Sequence, residues 1–413
     1  MIQLKDGTRM IKTRTSQKRG LYELINNRLG IDMYVNKAGA KILRRINNNK
    51  IIKNNLFLQE LRENGLIIDN EKSHYVYLCD DKKCEYPLSG LNIELTNNCN
   101  LKCIHCYGDF GHNFCLNYIN YEWIMTNMEV FDSLNVKQVS ITGGEATLHP
   151  KFNLICEELL KHGYELCVFT NGTNYYAIKS LLENTLEYKY TIKVSLDGFE
   201  AEHDYIRGIS GTFRKVCSTL DLISKYPNVK LYISTIIMKC NLNRANDFSA
   251  WIKEQYPYAI HSSNLIFPTD YCSDLAFTES EFDNVYKKMP HLFKYSILKT
   301  NKGENRCTGG ISQCTITPDG MLKICNSACD SAFYFKYNVF EKGLDYSWYN
   351  CGENIIAIRN EKRYNTEDCK NCKLKKKCYN TDCRIIGKNY AKKDNRSNPI
   401  TCYITRKGCE NNG

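Results

Sequence analysis

What most constrains this chain is where its cysteines stand. There are 22 in 413 residues, and they concentrate in one loop, Cys99 to Cys106, and in the stretch beyond Cys307. Met1 to Gly20 is charged and polar and lacks the apolar core of an export signal. No apolar run approaches the ~20 residues of a membrane helix. The expected location is the cytoplasm, with no membrane partner. In that reducing compartment a disulfide framework is a poor account of so many thiols, and metal or cluster ligation is a better one. The composition, 43% hydrophobic and 24% charged, excludes disordered and collagen-like chains. The net charge of +11 has its densest run at Lys373 to Lys377, among cysteines. There, counter-charge to an anionic cluster and a plain solvated face compete with a nucleic-acid patch, and no nucleic-acid partner is expected.

Three regions follow from the patterning. In residues 1–88, Leu21–Ile25 and Ile31–Val35 read as strands around an Asn-rich turn. Ala38–Ile46 and Leu56–Leu61 place apolar residues at helical spacing. Cys79 and Cys84 then fall in a polar linker. Residues 89–299 open with strand candidates Leu91–Thr96, Gln138–Thr142, Leu166–Thr170, Ile192–Leu196, Leu231–Ile237 and Asn264–Phe267. Amphipathic stretches such as Phe152–Lys161 and Phe213–Lys225 separate them. Repeated βα units imply a parallel sheet or barrel, with chemistry at the carboxyl ends of the strands. Residues 300–413 are weakly periodic and rich in Gly, Lys, Asn and Cys. Such a tail is expected to bury little apolar surface and to be held by bound metal.

The first cysteine group, Cys99-x3-Cys103-x2-Cys106, directly follows the first barrel strand. Three thiolates from one short loop suit three irons of a cubane and leave the fourth iron open, whereas electron-transfer clusters take four cysteines. Zinc would need a fourth local ligand. His105 is cramped between two cysteines and Cys115 is irregularly placed, so the cluster fits the spacing better, with zinc still open.

This loop and the motifs after it resemble the radical S-adenosylmethionine (radical SAM) superfamily. Gly143-Gly144-Glu145 is similar to that family's GGE motif at the end of the second strand. Thr170-Asn171-Gly172 and Ser195-Leu196-Asp197-Gly198 close the third and fourth strands, and His203 to Gly208 follows. The resemblance implies a [4Fe-4S] cluster on Cys99, Cys103 and Cys106, its open iron chelated by the amino and carboxylate groups of SAM. Reduction then splits the sulfonium, and a 5′-deoxyadenosyl radical abstracts hydrogen from the substrate. It further implies that Tyr107, Gly143, Gly144, Glu145, Asn171, Ser195, Asp197 and Arg207 contact SAM, with the Glu145 carboxylate on the ammonium and Arg207 clamping the carboxylate. Alone, each downstream motif is an ordinary turn or surface ion pair; their order makes the resemblance.

Beyond residue 300, Cys307-x12-Gly320-x4-Cys325 and Cys369-x2-Cys372-x5-Cys378-x4-Cys383, then Cys402, resemble the SPASM extension of peptide-modifying radical SAM enzymes, with one residue more than that pattern before Cys383. The resemblance implies two auxiliary [4Fe-4S] clusters: Cys307, Cys314, Cys325 and Cys383 on the first, Cys369, Cys372, Cys378 and Cys402 on the second. Cys409 is a weaker stand-in for Cys402. All eight ligand positions are then filled by the protein. A tail held by two zinc ions on the same thiols, in a non-catalytic binding protein, is the competing reading. Cys156, Cys167 and Cys217 sit in apolar stretches as small hydrophobes.

The implied fold is α/β: a partial (β/α)6 TIM-like barrel with a small N-terminal winged-helix-like module and a cysteine-rich C-terminal SPASM domain. The implied activity is modification of a ribosomally made precursor peptide, by a thioether, carbon–carbon or ether crosslink or by epimerisation. An external donor such as flavodoxin or ferredoxin would supply the electron. The alternative within the family is a sulfatase maturase. There an Asp follows the cysteine corresponding to Cys325, but here Asn326 does, an amide that cannot act as base. Residues 20–70 resemble the PqqD-like module that takes a leader peptide by adding a strand.

Overall fold

The computed structural model describes residues 2–48, 50, 52, 56–69, 75–80, 84–111, 117–269, 272–293, 307–360, 366–374, 378, 383–392 and 396–410. Cys115 and most of the lysine run therefore lie outside the described residues, as does the side chain of Cys409.

The N-terminal module is built on strands β1 (Ile2–Leu4), β2 (Thr8–Ile11), β3 (Tyr22–Asn26), β4 (Ile31–Val35), β5 (Ile67–Asp69) and β6 (Val76–Leu78). A four-stranded sheet runs in the order β4-β3-β2-β6, and β1 pairs separately with β5. Helices Lys37–Asn47 and Leu56–Glu63 cover it. The Asn36 side chain caps the first by accepting from Gly39 N. Leu24, Leu43, Leu58 and Leu61 form a core separate from that of the barrel. The pattern within residues 1–88 thus shows two of the six strands. It misses β2, whose four residues are all buried, because Arg9 in its centre reads as a surface residue. Arg9 is fully buried, with Nη2 2.6 Å from Asp132 Oδ1 and the guanidinium 4.1 Å above the Tyr164 ring. A partner 123 residues away leaves no mark on local periodicity.

The central sheet has eight strands in the order β12-β11-β10-β9-β8-β7-β13-β14. These are β7 (Gly90–Glu94), β8 (Gln138–Thr142), β9 (Glu165–Thr170), β10 (Tyr190–Ser195), β11 (Val229–Ile237), β12 (Ile260–Leu265), β13 (Gln313–Ile316) and β14 (Leu322–Lys323). Neighbours from β7 to β12 are all parallel. Parallel neighbours need crossovers, and helices such as Phe152–Lys161, Tyr175–Asn184 and Thr212–Ile223 supply them. This is the partial (β/α)6 barrel. In β10, Tyr190, Ile192 and Val194 are buried among the helices, while Thr191, Lys193 and Ser195 on the other face are only half-buried. The period-two alternation thus makes one face core and the other the wall of a polar interior.

The tail departs from expectation. β13 adds parallel to β7, Gln313 opposite Gly90 and Ile316 opposite Ile93. Ile316, Leu322, Phe335, Trp348 and Ile355 belong to the same core cluster as the barrel strands. The segment therefore buries a good deal of apolar surface. Weak periodicity misled because its strands are short and its apolar residues, such as the stacked Phe335 and Trp348, complete a core shared with the barrel strands. The C-terminal helix Pro399–Glu410 returns Ile400 and Tyr403 to Phe282 and Phe293. Among the described residues no helix is long and apolar enough to cross a membrane.

Candidate active site at the carboxyl edge of the sheet

The cysteine loop leaves β7 and is held from two sides. On one side stands the end of β8: Gly144 N donates to Thr96 O and Glu145 N to Asn98 O, both at 2.8 Å. This contact explains the paired glycines. A Cβ on Gly143, whose φ is +145°, would lie 2.4 Å from Thr96 O, and one on Gly144 2.3 Å from Asn98 O. On the other side stands the end of helix Glu200–Arg207: Lys102 N donates to Arg207 O at 3.1 Å and Ile104 N to Ile206 O at 3.0 Å. Gly208 follows in the left-handed region, and a Cβ there would lie 2.4 Å from Lys102 O. We expect Gly144→Ala to displace the loop at about 1–3 kcal/mol of strain and to lower iron uptake on reconstitution. Wild-type iron content in that variant would refute the clamp.

Between these supports lies a cavity of about 310 Å³, lined by Cys99, Cys103, Cys106 and Tyr107, the Gly143–Glu145 turn, Asn171, Ser195 and Arg207. Of the positions expected at SAM, the structure brings all here except Asp197. Burial pushes the Cys99 thiol up to about 12 and raises those of Cys103 and Cys106. Backbone N–H groups of Phe110, Gly108 and Asp109 donate to Cys106 against that trend. Empty of metal, such thiols keep their protons; binding a cation releases them. His105 also lines the cavity, and desolvation lowers its pKa to about 4, so its ring is neutral.

Two side chains face differently from expectation. Glu145 is 1% exposed, and its carboxylate accepts from Thr147 N, Thr147 Oγ1, Thr170 Oγ1 and Asn171 N at 2.6–3.1 Å. It ties the ends of β8 and β9 together and already has protein donors where an ammonium was expected. Asp197 has a fully buried side chain behind the loop. Its Oδ2 is 2.6 Å from Arg207 Nη2 and 3.9 Å from His105 Nε2, and its Oδ1 accepts from Ile236 N. Burial opposes its ionisation, but the Arg207 guanidinium outweighs burial and holds its carboxyl below the usual range. Asp197 thus stands apart from the residues that line the cavity, drawn inward by the Arg207 charge. The Asn171 side chain donates to Asn100 Oδ1 at 2.8 Å, tying the third strand end to the loop.

The tail thiols form two groups. Cys307, Cys325 and Cys383 are neighbours: burial first, and then the adjacent thiols, push Cys325 up to about 11 and Cys383 up to about 12. Cys314, expected with them on the first auxiliary set, is completely buried in β13, and its charged neighbour is Arg359. The period of β13 turns Thr315, not Cys314, toward Asn92 and Asn326. In the second group Cys402 neighbours Cys369 and Cys378, Thr405 Oγ1 donates to Cys378 Sγ at 3.4 Å, and Cys372 stays exposed. Cys156 and Cys167 are buried, as expected of small hydrophobes, while Cys217 is half-buried. Among the described residues, no three Cys, His, Asp or Glu side chains already converge on one point as a single zinc ion requires.

Sequence reasoning missed a buried ion pair beside the cavity, Lys323 Nζ to Glu94 Oε1 at 2.8 Å. It joins β7 to β14 near Tyr107, whose ring lies 6.0 Å from Lys323 Nζ. The signal was present: Asn92 and Glu94 alternate with Leu91, Ile93 and Leu95, so one face of an otherwise apolar strand is polar. Cys329 Sγ, also overlooked, donates to Tyr107 O at 3.0 Å.

Residues 93–243 match the model of the Radical SAM superfamily. The chain is 29% identical over 172 residues to the antilisterial bacteriocin subtilosin biosynthesis protein AlbA of Bacillus subtilis (strain 168), 41% of this chain and 38% of that protein. The match thus spans well under half of AlbA. Among solved structures, Streptococcus suis SuiB bound to S-adenosylmethionine superposes with a TM-score of 0.62 at 15% identity, over 96% of this chain and 98% of SuiB. SuiB bound to precursor peptide SuiA gives 0.61 at 16%, over 93% and 96%. The chain anSMEcpe with bound AdoMet gives 0.59 at 18%, over 78% and 92%. At such identities the solved structures attest the fold alone. The family model is matched across the cysteine loop and the motifs that support it, so that residues 93–243 of this chain carry a domain similar to those of the radical SAM superfamily.

Proposed function

We propose that the protein is a SPASM-type radical SAM maturase acting on a ribosomally made precursor peptide. The observation that carries the reading is the gathering of Cys99, Cys103 and Cys106 around one cavity with the Gly143–Glu145 turn and Arg207. The donor set fits a [4Fe-4S] cluster with SAM. Three half-buried thiols line the cavity, backbone N–H groups are directed at Cys106, and His105 Nδ1 and Arg207 Nε are buried without a hydrogen-bond partner among the described residues. When bound, that pair supplies reductive cleavage of a sulfonium and abstraction of a substrate hydrogen.

The chain's own residues do the rest. Cys99, Cys103 and Cys106 hold the cluster, and the two backbone clamps fix their spacing. Ser195 and Asn171 present polar groups at strand ends where SAM would lie, while Phe169, Ile266 and Phe267 make the wall apolar and keep water out. Cys307, Cys325 and Cys383, and Cys369, Cys372, Cys378 and Cys402, would hold auxiliary clusters, and a flavodoxin- or ferredoxin-like protein would deliver the electron in the cytoplasm. The N-terminal module suits a leader peptide. β4 pairs with β3 on one side, and among the described residues no strand pairs with its other edge, so an extended peptide can add there. The match of SuiB, solved with its precursor peptide, over the module as well as the barrel supports this assignment.

The test is anaerobic reconstitution and incubation with SAM, reductant and a candidate precursor peptide, sought among small open reading frames beside this gene. The expected result is 5′-deoxyadenosine together with loss of a hydrogen pair from the peptide, or deuterium uptake from heavy water without a mass change otherwise. Aldehyde formation on a sulfatase peptide instead would select the maturase alternative. That alternative lacks its base here, since Asn326 is an amide whose Oδ1 accepts from Thr315 Oγ1 at 2.8 Å.

A further inference from the structure

Arg207 reaches the catalytic loop in a way its expected role does not require. Its side chain is only 8% exposed, yet it spends one nitrogen on Cys103: Nη1 donates to Sγ at 3.7 Å. The other terminal nitrogen pairs with Asp197 at 2.6 Å. Asp197 is in turn fixed by Ile236 N on Oδ1, while Asn241 Nδ2 donates to its backbone carbonyl. The guanidinium thus touches Cys103 directly, while the Asp197 carboxylate stands on its far side, paired with the other terminal nitrogen. The backbone of Arg207 is tied to the same loop, its carbonyl accepting from Lys102 N.

We propose that the Arg207–Asp197 pair is a potential-setting device for the cluster on Cys99, Cys103 and Cys106: the guanidinium at Cys103 favours the reduced cluster, and Asp197 limits how far. The inference rests on the cluster reading above. The physical basis is that a cation near a ligating sulfur, and hydrogen bonds to that sulfur, stabilise the more negative oxidation state. In a site so poorly hydrated the charge is little screened. The pair then acts through Cys103, as positioning residues do, and the two members pull in opposite directions.

That opposition makes the test. The full chain is reconstituted anaerobically, and the midpoint potential is read by EPR-monitored redox titration without SAM. The relevant signal is identified as the one whose shape changes when SAM is added. Arg207→Gln is expected to lower the potential, Asp197→Asn to raise it, and Arg207→Lys, which keeps the charge, to stay nearer wild type than Arg207→Gln. Unmoved potentials, or shifts of one sign in both Arg207→Gln and Asp197→Asn, overturn the proposal. If Arg207→Gln cannot hold the cluster, Asp197→Asn decides. If both lose it, the pair only braces the loop and the proposal fails. Failure of the underlying reading looks different: wild-type protein would then yield no SAM-responsive cluster at all.

Discussion

Cys103→Ala is expected to abolish 5′-deoxyadenosine production under reductant and to remove about four irons per chain, the content of one cubane. Of the three loop thiols it is the one that receives the Arg207 guanidinium, and its backbone neighbours Lys102 and Ile104 are both bonded to the helix behind. The loop backbone therefore stays in place when the thiol is removed, and the loss reports the missing ligand rather than a collapsed loop. The check is iron and sulfide analysis, with EPR, beside a product assay. Retained 5′-deoxyadenosine would refute the assigned loop. Signals from clusters on the tail thiols should persist in the variant, because Cys307, Cys325 and Cys383 are grouped independently of the loop.

The second large effect falls on stability. Arg9→Ala should cost about 3–5 kcal/mol, the usual loss when one member of a buried ion pair is removed. Arg9 Nη2 donates to both Asp132 Oδ1 and Val136 O, so truncation strands a buried carboxylate and a carbonyl and empties the space over Tyr164. Asp132 keeps His162 Nε2 at 2.8 Å and Tyr164 Oη at 2.9 Å. Arg9→Met, which refills the volume, should therefore cost less than alanine. Urea unfolding of both variants measures this, and a cost within ~0.5 kcal/mol for alanine, as for a surface site, would show that the N-terminal module does not depend on the pair. The pH dependence has a definite sign. Burial works against ionisation of Asp132, but Arg9 and His162 outweigh it, so the folded carboxyl titrates below its unfolded value. Its contribution is present above pH ~4 and fades as pH falls through the folded value. The gap in melting temperature between wild type and Arg9→Ala should thus narrow on acidification.

How far the residues alone carry the argument differs by region. The barrel strands were legible because each is apolar on one face and ends in a motif: Gln138–Thr142 and helix Phe152–Lys161 appear at the bounds the periodicity predicts. The cysteine loop was legible because ligand spacing within one loop is a local property. The facing of individual side chains was not. Glu145 and Asp197 sit in the expected motifs, yet one carboxylate closes on Thr147, Thr170 and Asn171 and the other on Arg207. Partners from other strands decided both. Cys314 shows the same limit: its place in a cysteine series does not reveal that the pleat of β13 buries it in the core.

The order of residues by itself determined the parallel strand–helix barrel and the three-thiol loop, because these rest on local spacing and on periodicities of two and 3.6. Only the tertiary structure decided that Arg9 is buried, that β13 joins β7, and that Arg207 spends its charge on Cys103 and Asp197. Each of those rests on a partner distant in sequence, and the free energy of burying a charge or a strand edge depends on that partner alone.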